Sequence, residues 1–587
     1  MTTATQPIVW DLTPFFPSLD SPEFHAAVAD LKATLHAIET QAESLDAHAS
    51  ADDVAQVIEA QNGLSSKAKL VLGYLNLLLA ANTQDEAAQA ARSGLMPTVT
   101  KMSQVQTKIT NWIGELPAKT LESANEVVAA HAFPLSRTKI RATHLMPMAE
   151  EHLASEMVET GSTAWEKLYD DVSSTISTTH NGQAVTMSGL RAMAYDKDPA
   201  VRKAAYEKEL ETWKTVEIPI AAALNAIKGE ANALATRRGW GCLLDITLFH
   251  CNMGHGALEA MMSAAQESFP DWRRYLRAKA KLLGHQGGLP FYDIFAPIGG
   301  TKVWSWEEGE NFVEEGFGSY SDKLGKFARR SFDEAWHDVD PRPGKVDGAF
   351  CAGIRGDESR MLHNFKASFN SVSTLAHELG HAYHNVCLAE RTPMQKSTPM
   401  TLAETASIFC ETIIKRRALA ETSGDERLGI LEASLQGACQ VVVDITSRYR
   451  FESEVVHRRR ERELSARELC DIMREAQLST YGDGLDENAL HPYMWAAKPH
   501  YYSTFSFYNF PYMFGLLFAL GLYRVYQEKP EGFHEAYDAL LSRTGMSMAS
   551  DLTAEFGIDI NDIDFWRGSL AVLKDDIDQF VAEVENR

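Results

Sequence analysis

The chain has 587 residues, of which 45% are hydrophobic and 23% charged, the composition of a water-soluble globular protein too long for one ordinary core. Its 80 acids against 56 bases give a formal charge of −24, which disfavours nucleic acid or an anionic membrane as partner. Seven scattered cysteines without a C-x-x-C pair, and a first stretch, MTTATQPIVWDLTPFF, with neither a basic nor an apolar signal region, lead to the expectation of a cytoplasmic protein with free thiols.

Helical periodicity dominates from the start. Phe24 to Ala49 and Asp53 to Thr83 repeat apolar residues at intervals of three and four. His180 to Leu190 reads as a short hairpin around Asn181-Gly182. Asp198 to Gly239 is a long helix with Asp198 as cap and Pro199 in its first turn. A soft boundary at that cap separates an N-terminal helical region, 1–197, from a second region, 198–587. Between Gly284 and Phe369 glycine and proline become frequent, and Arg360 to Phe369 reads as a strand. Helices resume after it, and Met513 to Leu522, the most apolar stretch, is too short to span a bilayer. The fold class expected is mainly α, with a small β-sheet beside a histidine-rich helix.

That helix carries STLAHELGHAYHNV, Ser373 to Val386. His377 and His381 are four residues apart, so both imidazoles project from one helix face and can reach one metal ion. Glu378 lies between them, placed to meet a metal-bound water without itself binding the metal. This is the H-E-x-x-H pattern of zinc hydrolases. Nineteen histidines give on the order of a few hundredths of such matches by chance. A catalytic zinc takes three protein ligands and keeps one position open. Histidine six residues past the second ligand is excluded, because Cys387 stands there. TPMTLAETASIFCE, Thr398 to Glu411, offers Glu404 as the third ligand on a following helix. Glu411, seven residues on, could accept a hydrogen bond from a ligating imidazole or be a plain surface carboxylate. His384, Cys387 and Cys410 read as structural residues.

TLAHELGHAYH and MTLAETASIFCE, with the upstream PRPGKVDGAFC and the downstream HYYSTFSFYNF, together resemble the oligoendopeptidase F and thimet oligopeptidase family of zinc metallopeptidases. SGLRAMAYDKDPAVRKAAY, Ser188 to Tyr206, resembles a segment of the oligoendopeptidase F branch. The resemblance covers Asp198 to the C-terminus and, more weakly, the N-terminal third. It implies a two-lobed helical fold with one zinc deep in a channel, so that 198–587 is a zinc peptidase domain. It also implies endopeptidase action on short, unstructured peptides. Glu378 then acts as general base and acid on a zinc-bound water. His500 and Tyr508 become candidate donors to the oxyanion, and Tyr501, Tyr502 and Tyr512 candidate substrate contacts. Tyr508 matches a family tyrosine; Tyr512 matches after a register shift, because Phe510 and Pro511 intervene. The strand at 360–369, with His363 on one face, is a candidate edge for substrate backbone. Rival readings are a zinc aminopeptidase or dipeptide-releasing carboxypeptidase, and a silent helical peptide-binding protein; an intact Glu378 speaks against the last.

Overall fold

The elements around the site are, in chain order, helices α1 (Pro22–Glu43), α2 (Ala51–Ala81) and α3 (Glu86–Glu115), strands β1 (Ser177–His180) and β2 (Gln183–Thr186), helices α4 (Met187–Ala192) and α5 (Pro199–Arg237), strands β3 (His337–Asp338), β4 (Phe350–Arg355) and β5 (Glu358–Leu362), and helices α6 (Phe369–Cys387), α7 (Thr405–Glu421) and α8 (Phe510–Glu528). This computed structural model describes residues 7–180, 182–300 and 302–587. The remaining described elements are almost all helices, so the fold is mainly α with small sheets.

Local chemistry sets the helix starts. Ser21 accepts from the Phe24 amide, with Pro22 in the first turn of α1, and Ser50 and Asp53 form a reciprocal capping box on α2. Asp198 caps α5 by accepting from the Ala200 amide, and Pro199 supplies the fixed φ of the first turn. The hairpin β1–β2 forms with His180 opposite Gln183; Gly182 takes the positive φ of 78° that such a turn needs. Asn181, the other turn residue expected, lies outside the described residues.

The chain divides into two compact units, each assembled from three segments. The first takes Met1–His144, Lys302–Arg417 and Lys529–Leu552; the second takes Leu145–Thr301, Ala418–Glu528 and Thr553–Arg587. The boundary at Asp198 is therefore a division along the sequence and not in space, since it falls inside the second unit. In the first unit one core joins Leu31, Ile58, Leu75 and Ile109 of α1–α3 to Ile354 and Leu362 of the sheet. Residues far apart in the chain complete each other's burial there. Two helices, Ala51–Ala81 and Gly424–Arg459, are long and apolar enough to cross a membrane by length and composition alone. Apolar residues of both are buried within the protein.

The three-stranded sheet has the order β3–β5–β4, with β5 parallel to β3 and antiparallel to β4. The strand expected over 360–369 ends at Leu362, and helix α6 begins at Phe369. Because β5 is central, both its edges are paired, and the outer strands are β3 and β4. Between the glycine-rich stretches, 306–320 and 322–333 form helices instead of irregular chain. Their glycines allow close packing: a Cβ on Gly325 would stand 2.9 Å from the Gly318 Cα.

Candidate active site

Helix α6 buries Val372, Leu375, Ala376, Leu379 and Ala382 completely, which fixes its rotation and leaves His377 and His381 on the remaining face. The sheet is seated close against it. Gly353 of β4 has no Cβ where Asn385 of α6 would be 2.8 Å away, and Asn385 Nδ2 donates to Ser359 Oγ at 3.1 Å. After α6 the chain reverses. Met400–Ala403 makes one helical turn with Pro399 at its N-cap, the helix breaks at Glu404, and α7 follows. Glu404 thus sits at a break and not within a continuous helix.

That break brings three side chains together. The donor atoms of His377, His381 and Glu404 all lie within 4.8 Å of one another. Glu404 Oε2 is 3.2 Å from His377 Nε2 and 3.4 Å from His381 Nε2. Ligands about 2.0–2.1 Å from a tetrahedral zinc stand roughly 3.3 Å apart, so these donors fit that ion. Ser407 Oγ donates to Glu404 Oε2 at 2.8 Å and orients the carboxylate. On the other side of the ring, Glu411 Oε2 accepts from His377 Nδ1 at 3.3 Å, which leaves Nε2 to face the cluster. Glu411 is held in turn by Ser373 Oγ at 3.0 Å and Lys415 Nζ at 2.5 Å.

The electrostatics favour positive charge at the centre. Burial works against an imidazolium at His377, but the Glu404 and Glu411 carboxylates outweigh it and push the group up to about 10. Burial likewise opposes the charge on the two acids. Hydrogen bonds from His377 and His381 hold Glu404 well below the carboxylate range, and Lys415 and His377 do the same for Glu411. Glu378 is 5% exposed and makes no hydrogen bond among the described residues. Burial raises its carboxyl, with the two histidines opposing. An uncommitted carboxylate beside three side chains that could hold a metal ion is available for proton transfer.

The aromatic segment belongs to the second unit. It is anchored from inside by Lys228, a fully buried ammonium that binds Glu452 at 2.8 Å, Ser506 Oγ at 2.9 Å and the Ser503 carbonyl at 3.2 Å. His500 stacks on Tyr508 with ring centroids 4.9 Å apart, and the Tyr508 and Tyr512 hydroxyls are 2.9 Å apart. Phe507, just before Tyr508, has φ of +58°, a left-handed conformation unusual for a bulky residue.

A sequence model of peptidase family M3 matches residues 313–572, the span that holds every residue of the metal cluster. Residues 313–572 therefore carry a peptidase family M3 domain. It is 23% identical over 606 residues to an oligoendopeptidase F homolog of Lactococcus lactis subsp. lactis, covering 99% of this chain and 98% of that one. It is 25% identical to the group B oligopeptidase PepB of Streptococcus agalactiae, covering 76% of this chain and 74% of that one. The crystal structure of oligoendopeptidase-F from Enterococcus faecium shares the fold, with TM-score 0.70, 17% identity, and coverage of 96% of this chain and 99% of that one. This M3 peptidase is accordingly a metalloendopeptidase.

Three expected substrate contacts of the M3 peptidase are corrected by burial. His363 is 2% exposed, with its Nε2 3.1 Å from His337 Nδ1 and its ring against Trp306. Tyr501 and Tyr502 are each 1% exposed. Tyr501 packs on Phe451, and Tyr502 stacks on Tyr169 with centroids 3.6 Å apart. Tyr512 is half-buried. His384 of the M3 peptidase bonds the Leu541 carbonyl and Thr544 Oγ1 through Nε2, and Cys387 faces Asp538. Cys410 is buried. Sequence reasoning missed Ser373, Ser407, Lys415 and Gly380. The first three stand three or four residues from His377, Glu404 and Glu411, a spacing that could have found them.

Proposed function

We propose that this protein is a zinc-dependent endopeptidase that hydrolyses internal bonds of short, unstructured oligopeptides. The observation that carries the reading is the convergence of His377, His381 and Glu404 beside an unengaged, buried Glu378. His377, His381 and Glu404 hold one zinc per chain, and Glu411 fixes the tautomer of His377. Zinc, when bound, supplies the Lewis acidity that activates water and polarises the scissile carbonyl. Glu378 takes a proton from the attacking water and delivers it to the leaving nitrogen. We assign to His500 and Tyr508 the role of donors to the developing oxyanion, on the resemblance of their segment and the strained backbone before Tyr508. Tyr512 remains a candidate substrate contact. An extended peptide would add at an outer strand of the sheet, β4 or β3, and not at the central β5. The partners are short peptides, with no nucleic acid or membrane, in the cytoplasm.

Mass spectrometry of products from a mixed peptide library, with metal analysis on the same sample, tests this. Internal cleavage with about one zinc per chain is the expected result. Release of single residues or dipeptides from one terminus alone would establish an exopeptidase. Bound zinc without turnover would establish a silent peptide-binding protein.

A further inference from the structure

The second unit contains a cavity of about 360 Å³, the size of a small-molecule site. Much of its wall comes from Ser188 to Tyr206, a segment that the metal chemistry does not use. Phe291, Tyr292, Phe295, His491 and Lys498 complete the wall. None of its lining residues belongs to the metal cluster. The rings of Tyr195, Tyr206, Phe291, Tyr292 and Phe295 make it largely aromatic.

Its polar groups are unevenly satisfied. Arg202 is engaged through Nε on Asp293 at 2.7 Å and Nη1 on the Asp196 and Lys197 carbonyls at 2.7 and 3.1 Å. Arg191 donates one nitrogen to Glu209 at 2.8 Å, and Glu209, the only carboxylate in the lining, also accepts from Trp213 Nε1 at 3.2 Å. His491 is 1% exposed; its Nε2 is 3.2 Å from Glu209 without hydrogen-bond alignment, and its Nδ1 has no partner. The Lys498 ammonium makes no hydrogen bond or ion pair among the described residues. Asp444, the opposing charge that acts most strongly on it, is bound by Arg448 at 2.8 and 2.5 Å. Burial pushes Lys498 down to about 8, the mark of an ammonium short of counter-charge. Lys498 is half-buried and His491 buried, and such groups without acceptors are costly unless a ligand supplies them.

We propose that this cavity is a second ligand site, for a small carboxylate with an apolar body of the kind that peptide hydrolysis releases as amino acids and dipeptides. The carboxylate meets Lys498, Arg191 and His491, and the body lies among the rings. The identity of the ligand rests on the peptidase reading; the demand for an anion does not.

Equilibrium dialysis of the full chain, stripped of metal by chelation and also zinc-loaded, tests the site with N-acetylphenylalanine, its amide and inorganic phosphate. The acid should bind equally to both forms, and the amide about tenfold or more weaker. Lys498→Met should weaken the acid by about tenfold or more, and Lys498→Arg should restore most of it. Ala194→Leu, which narrows the cavity without changing charge, should also block the acid. The proposal is overturned if the acid binds only the zinc-loaded form, if acid and amide bind alike, or if both Lys498→Met and Ala194→Leu bind normally. Phosphate binding as tightly as the acid would make this an inorganic-anion site and overturn the carboxylate assignment. If zinc-loaded enzyme cleaves no peptide while the acid still binds, the peptidase reading fails and the cavity stands.

Discussion

His377 has a carboxylate at each ring nitrogen, Glu404 at Nε2 and Glu411 at Nδ1, whereas Glu378 beside it has no hydrogen-bond partner among the described residues. In the proposed mechanism those different surroundings separate holding the metal from moving the proton. Glu378→Gln keeps the shape of the side chain and every contact of the ligand set. It should retain zinc and lose about 10²–10⁴-fold in hydrolysis, read as kcat beside metal content. Near-normal turnover would remove Glu378 from the mechanism. Tyr508→Phe deletes one donor and keeps the stack on His500. It should lower kcat by about 10²–10³-fold with KM and zinc content nearly unchanged. A small loss that tracks melting temperature would instead make Tyr508 part of the core.

At the scale of elements, the site depends on how closely α6 and α7 approach. A Cβ on Gly380 would lie 2.5 Å from both the Ala406 carbonyl oxygen and the Ser407 Cα, which are backbone atoms that cannot turn aside. Gly380→Ala should therefore push α7 away, cost about 1–3 kcal/mol of stability and weaken zinc binding, because Glu404 stands just before the contact. Calorimetry and zinc titration of this variant check the point; unchanged zinc affinity would show that the crossing can relax. The sheet makes a separate contribution. Burial, reinforced by Lys345, pushes His363 down to about 3 from its ordinary 6.5, with Asp338 opposing. Between those values the unfolded chain binds a proton that the folded chain refuses, so stability rises with pH across that window. It is complete above pH 6.5 and declines by about 1.4 kcal/mol per unit for this one group as pH falls. His363→Leu should flatten the fall in melting temperature from pH 6.5 to 4, and an unchanged slope would assign the acid sensitivity elsewhere.

At the scale of the molecule, neither unit is a continuous stretch of chain. A fragment beginning at Asp198 would lack Met1–His144 from the first unit and everything from Leu145 onward to that point from the second. Ile354 and Leu362 would lose the α1–α3 core against which the sheet is buried. Such a fragment should fail to fold, giving no near-ultraviolet dichroism and no cooperative melting. A cooperatively folded fragment would show that the sheet and α6 are stable without those helices.

The sequence by itself determined what short-range physics controls. Helices α1, α2 and α5 were legible from periodicity and from the caps at Asp198 and Pro199, because those signals act within a few residues. The cluster of His377, His381 and Glu404 was legible for the same reason: the two histidines are one turn apart, and Glu404 follows a reversal marked by proline. Only the tertiary structure decided which polar groups are buried and which are bound. His363, Tyr501 and Tyr502 looked like contacts because their chemistry suits a substrate, yet packing against distant residues seals all three inside. Glu411 could have been a surface acid, and became the partner of His377 only when α7 folded back on α6. The two units likewise follow from which distant segments complete a core, a relation that no local pattern encodes.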